Sequence, residues 1–249
     1  MCSETDVVHK NILLIMKIDY AIMSSDESHY LDYWPLVSKV WQRFGIKPVL
    51  IKITKDEYSF YDNDVILINL PLLPNIKSSL QAQIARIWAF KILNGNCIIS
   101  DIDMMPLSES YFKDIANQYD EDKIVSYCSD AAQKFDGNHP MCYILANNKV
   151  MSELIKYDTW EQFVIDLAER CGQGWSTDQW YLTQLLNSYN NTISLKRGFN
   201  SNGQAHNRLD RDGWKYNADF ITAGLVYDAH LPKPYKQNEK LIKDLYNLL

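Results

Sequence analysis

Short apolar runs alternate with amphipathic stretches through the first half of the chain. Residues 12–22 are apolar apart from Lys17 and Asp19 and predict a first strand. A polar loop, residues 23–30, comes next. Between about Tyr30 and Phe44, the residues Leu31, Trp34, Val37, Val40 and Trp41 recur at helical spacing, and Gly45 is placed to cap the helix. Residues 47–53 predict a second strand, 55–64 a polar loop, and 65–70 a third strand stopped by Pro71. Residues 77–93 predict a second amphipathic helix, ended by Asn94 and Gly95. Cys97, Ile98 and Ile99 then form a short run that reads as a buried strand. Strands alternating with helices predict an α/β fold with a mostly parallel, layered sheet.

The second half is less regular. Residues 111–119 and 150–168 read as helical, and 124–128, 141–146 and 193–196 as strands. Residues 171–180 form a glycine-bearing loop running into a helix that Ser176 or Thr177 could cap. Residues 197–219 are rich in Gly, Asn, Asp and Arg and read as a long loop. Residues 225–227 predict a last strand, and 238–249 a terminal helix.

The chemistry concentrates where the buried strand ends, at Ser100-Asp-Ile-Asp103. Carboxylates at i and i+2 point the same way in an extended chain. At the end of a buried strand they repel unless a cation sits between them. A divalent metal supplies that charge and commonly also holds a phosphate; the alternative is a pair of solvated turn carboxylates. In layered sheets ligands bind beyond the carboxyl ends of strands. Residues 24–30 and Asp101–Asp103 are both expected at such ends and can face one crevice.

Composition narrows the class. A chain of 249 residues with 47% hydrophobic content suits one large domain with a sizeable core. Its net charge of −6 argues against nonspecific nucleic-acid binding. The 16 tyrosines and 7 tryptophans are core fillers or sugar-stacking platforms. Five scattered cysteines with no CxxC pair suggest reduced thiols, and no apolar stretch reaches membrane-spanning length. The first ten residues lack the apolar core of a signal peptide, so a cytoplasmic location is expected.

Taken together, the motifs resemble the metal-dependent, nucleotide-sugar glycosyltransferases of the GT-A fold. Asp101-Ile102-Asp103 looks like their DxD metal motif. Arg86, on the preceding helix, matches an arginine that retaining members place against the donor. His230-Leu-Pro-Lys-Pro-Tyr235 is similar to the carboxyl-terminal His…Lys-Pro-Trp motif of family-8 retaining galactosyltransferases and glycogenin-like enzymes. Thr177-Asp178-Gln179 resembles their Asp-Gln at the donor sugar, and the loop with Ser24, Ser25, Asp26 and Tyr30 their uracil-holding loop. The likeness spans residues 12–235. It departs in a shorter His-to-Lys spacing and in Tyr235 for Trp, as in a related family similar to small viral and bacterial DxD transferases.

The resemblance implies a single GT-A domain. Residues 12–107 would form its nucleotide-sugar half and residues 108–249 its acceptor half. It implies Asp101, Asp103 and His230 as ligands of Mn²⁺ or Mg²⁺, and a UDP-sugar as donor. Lys233 would neutralise the leaving diphosphate, and Arg86, Asp178 and Gln179 would contact the donor. The partners expected are a nucleotide sugar and a glycan or other hydroxyl acceptor, with sugar transfer under retention. His206, Arg208, Asp210 and Arg211 are candidates for acceptor or phosphate binding, or a solvated charged loop. Trp175 and Trp214 are candidates for sugar stacking.

Three other readings compete. An aspartyl-nucleophile phosphatase also carries DxD after a strand, but wants Thr where Met105 stands and the motif near the amino end. A sugar nucleotidylyltransferase needs a Gly-rich basic loop that residues 24–30 lack. A non-catalytic binding protein of the same fold would not need Asp101, Asp103, His230 and Lys233 together.

Overall fold

A computed structural model describes residues 15–26, 29–56, 59–131, 138–200 and 205–249. The central sheet has the order β3-β4-β2-β1-β5-β8-β7-β9. Its strands are β1 (Tyr20–Asp26), β2 (Lys47–Thr54), β3 (Phe60–Tyr61), β4 (Ile66–Pro71), β5 (Asn96–Ile99), β7 (Ile124–Ser126), β8 (Ile144–Asn147) and β9 (Thr192–Ser194). Strands β4, β2, β1 and β5 run parallel, while β3 and β8 run against their neighbours. A second sheet joins β10 (Arg208–Leu209), β11 (Asp228–His230) and β6 (Met104–Pro106). The helices are α1 (Trp34–Arg43), α2 (Ser78–Trp88), α3 (Glu109–Ala116), α4 (Asn148–Leu154), α5 (Trp160–Cys171), α6 (Thr177–Asn187), α7 (Ala218–Thr222) and α8 (Tyr235–Tyr246).

The sheet is apolar on both faces, as a helix-covered parallel sheet must be. Alternate residues of one strand serve two cores. In β2, Val49, Ile51 and Ile53 pack with α2, α5 and α6, whereas Leu50 packs on the other face with α1, α3 and α8. In β5, Cys97 and Ile99 face the first core and Ile98 the second. Pro at the start of α1 and Gly45 (φ 67°) just past its end fix that helix as expected. Strand β1 pairs with β2 on one side and β5 on the other, and the chain order reverses there. This is a topological switch point, where parallel sheets open a ligand crevice.

Several sequence expectations shift. The first strand is β1, so Met23–Asp26, expected as loop, completes a strand held by pairing up to Asp26 with Ile53; residues 12–14 lie outside the described residues. The stretch 150–168 is two helices, because Thr159 accepts the Gln162 N–H at 3.2 Å and starts α5 anew. The expected strand at residues 225–227 is displaced to β11, which pairs with β6 and β10. The long loop after Arg197 also contains β10 and α7. Among the described residues no helix is long and apolar enough to cross a membrane.

Candidate active site

Asp101 and Asp103 are not in extended chain. They sit in the tight turn between β5 and β6, closed by Met104 N–H to Asp101 O at 3.1 Å. The two carboxylates therefore do not share one face of a strand as the i, i+2 spacing predicts, although both residues line one cleft of about 580 Å³ at the switch point. Ser24, Ser25, Asp26, Tyr30, Arg86, Ile102, Asp178, Gln179, His230 and Lys233 line the same cleft, which gathers the residues of the metal, diphosphate and donor motifs in one place.

Strand pairing brings the carboxyl-terminal motif to the turn. Met104 opposes His230 in the β6–β11 register, and Leu231 N donates to Asp103 O at 2.9 Å. His230 Nε2 then lies 3.7 Å from Asp103 Oδ2. Lys233 Nζ reaches the same oxygen at 3.0 Å, contacts the Tyr30 hydroxyl, and stands 4.3 Å from the centre of the Tyr30 ring.

Arg211 completes the cluster. Its Nη2 donates to Asp103 Oδ2 at 2.9 Å and its Nε to His230 Nδ1 at 3.1 Å. It follows β10, whose Arg208 opposes Asp228 of β11. The fully buried Asp228 accepts from Arg208 Nη2 at 2.8 Å and from Arg197 Nη1 at 2.9 Å. This buried pairing fixes the short second sheet and thereby aims Arg211. From the sequence Arg211 is a candidate acceptor or phosphate ligand or a residue of a solvated charged loop; its placement depends on strand pairing that no local pattern shows. His206 and Trp214 do not line the cleft, and Arg208 belongs to the buried ion cluster.

Arg86 is buried on the Asp101 side of the turn. It donates to the Asp101 carboxylate and, through Nη2, to Asp178 Oδ2 at 3.3 Å. Ser24 and Ser25 donate to the backbone carbonyls of Ala82 and Asp26, and Asp26 Oδ2 accepts from Ser78 Oγ at 2.8 Å. Their hydroxyls tie β1 to α2 and to the strand itself.

Burial alone would push the Asp103 carboxyl up. The His230, Lys233 and Arg211 charges more than offset it and hold Asp103 below the usual range. Asp178 goes the other way: burial outweighs the Arg86 charge and lifts it to about 6. The raised value means that ionising Asp178 costs stability. That contribution is fully favourable below pH 4 and is lost as pH rises through 6. Asp178→Asn should therefore melt higher than the wild type at pH 7, by about 3 kcal/mol of stability at most, with the gap closing toward pH 4. Thermal melts across pH 4–8 check the sign.

As the side chains stand, no group of three or more His, Cys, Asp and Glu among the described residues is gathered to hold a metal ion. The chain offers an imidazole and a carboxylate 3.7 Å apart, with Asp101 two residues away. Ions such as Mn²⁺ and Mg²⁺ commonly take a few protein donors and complete their shell with substrate phosphates and water. The donor set fits an ion that arrives with a diphosphate rather than one caged by protein alone.

Solved structures match this arrangement of elements. The glycosyltransferase GlyE of Streptococcus pneumoniae TIGR4 superposes with a TM-score of 0.54 at 16% identity over 94% of this chain. The bifunctional glycosyltransferase WbbM, in its apo form, gives 0.54 at 10% identity over 93%. The chain has a glycosyltransferase fold. It spans 61% and 50% of the length of those two chains. No protein-family model and no curated protein matches the sequence.

Proposed function

We propose that the chain transfers a sugar from a nucleoside diphosphate sugar, with UDP as the nucleotide, to a hydroxyl acceptor, with retention of anomeric configuration. The observation that carries this reading is the Asp103 cluster at the switch-point crevice, where Lys233 and Arg211 converge on one carboxylate oxygen. Two cations sharing one carboxylate oxygen are suited to a dianionic diphosphate, which they meet without building a new charged site. Donor binding moves Lys233 and Arg211 onto phosphate oxygens, and Asp103 and His230 become available to Mn²⁺ or Mg²⁺. Asp101, Asp103 and His230 would hold such an ion, which would supply Lewis-acid stabilisation of the leaving group.

The remaining groups orient the donor. Tyr30, which stacks on His29 at 4.8 Å, receives the base beside Ser24, Ser25 and Asp26. Arg86 holds Asp178 toward the donor sugar, with Gln179 next to it. In a retaining reaction no side chain has to deprotonate the acceptor, and the leaving phosphate can take the proton. Asp178 then acts as a hydrogen-bonding carboxylate. NMR of the product glycoside tests this: an anomeric configuration matching the donor is expected, and an inverted product would make Asp178 the base.

A further inference from the structure

Trp175 is 72% exposed, the highest value among the exposed large apolar side chains of the described residues, and of that set it alone lines the cleft. A single exposed apolar side chain is ordinary on a protein surface; what sets Trp175 apart is that it stands at the mouth of the cleft on a backbone held by hydrogen bonds. The backbone here is fixed. Gly172 (φ 74°) turns the chain out of α5. Gln173 Oε1 accepts the Lys77 N–H at 2.7 Å, and Lys77 Nζ donates to Gln173 O at 3.2 Å. Gln83 Nε2 donates to Trp175 O at 3.4 Å, and Thr177 Oγ1 to Gly172 O at 3.1 Å. The indole is thus presented from a segment tied to α2 and closed on itself, three residues before Asp178.

Its neighbours decide what it faces. Gln179, whose side-chain amide makes no hydrogen bond among the described residues, lines the cleft with Trp175 and the donor-side Asp178, so a ring on the indole would lie next to the donor sugar, where an acceptor has to be. An aromatic face beside an unspent amide matches a pyranose ring, which has an apolar C–H face and hydroxyls around its edge. On the transferase reading the nucleotide base goes to Tyr30 and the diphosphate to Lys233, which contacts both Tyr30 and Asp103. We infer that Trp175 is the stacking platform of an acceptor subsite, and that the acceptor is a saccharide rather than a peptide or lipid hydroxyl. This rests on the transferase reading above.

The test uses three acceptor probes: methyl β-D-galactoside, methyl β-D-glucoside and methyl N-acetyl-β-D-glucosaminide. A serine peptide and n-octanol serve as the non-saccharide arms. With the UDP-sugar that the wild type uses, at least one glycoside should be glycosylated. Trp175→Ala should raise its KM by about tenfold or more while the donor KM holds, and Trp175→Phe should recover most of the loss. An unchanged acceptor KM in Trp175→Ala overturns the inference. So does a donor KM that rises with it, which would put the base on the indole, and so does transfer confined to the peptide or the alcohol. A wild type that turns over no UDP-sugar fails the transferase reading instead. Saturation-transfer NMR of the three glycosides, lost in Trp175→Ala, then still reads the subsite.

Discussion

Asp103→Asn leaves a folded chain with no measurable nucleotide-sugar turnover. Asp103 is buried, and its Oδ2 is where Arg211 at 2.9 Å, Lys233 at 3.0 Å and His230 at 3.7 Å converge. Asparagine keeps the shape of the side chain and can still accept one hydrogen bond, so the turn and the β6–β11 pairing survive. What disappears is the negative charge that gathers Arg211 and Lys233 beside His230 and would ligate the divalent ion. Arg211 and Lys233 retain 18% and 30% side-chain exposure, so each can swing to solvent rather than remain buried and unpaired. The loss of stability is therefore smaller than the ~3–5 kcal/mol expected for breaking a sealed pair. Circular dichroism and a thermal melt establish the fold, and nucleoside diphosphate release establishes the turnover. Release within about tenfold of wild type, a loss under 1.4 kcal/mol, would remove Asp103 from the chemistry.

Lys233→Ala should lower kcat by about a hundredfold, the scale seen when one group that stabilises developing charge is removed. The lysine follows the last strand of the second sheet, between two prolines, and its ammonium bridges Asp103 and Tyr30. A group that neutralises the leaving diphosphate acts most strongly as negative charge develops there. The loss should therefore appear in kcat more than in donor KM. An unchanged kcat would reduce Lys233 to a counter-ion of Asp103.

The sheet and the cleft were largely legible because they rest on local patterns. Apolar runs such as Cys97–Ile99 are buried on both faces, and of the residues at helical spacing Val37, Val40 and Trp41 lie in the second core with Leu31 and Trp34 packed against it. The motif residues converge because strand ends and register bring them together, which the order of elements already implied. The illegible part is the short second sheet. Asp228 reads as the polar end of a strand, yet two arginines neutralise it at zero exposure, and strand β11 begins there. That ion cluster joins residues 20 and 31 positions apart and has no periodic signature. With it went the placement of Arg211. The DxD pair shows the converse: the expectation of convergence held while its stated geometry did not, because a turn rather than a strand presents the two carboxylates.

The chemistry proposed for the Asp103 cluster is cation-assisted cleavage of a nucleoside diphosphate sugar. Nucleoside diphosphate release from a panel of UDP-sugars, followed with Mn²⁺ and again in excess chelator, tests it most directly. Release from at least one donor is expected with Mn²⁺, restored by Mn²⁺ after chelation and absent in Asp103→Asn. Undiminished release in excess chelator, or none from any UDP-sugar with Mn²⁺ present, would contradict it.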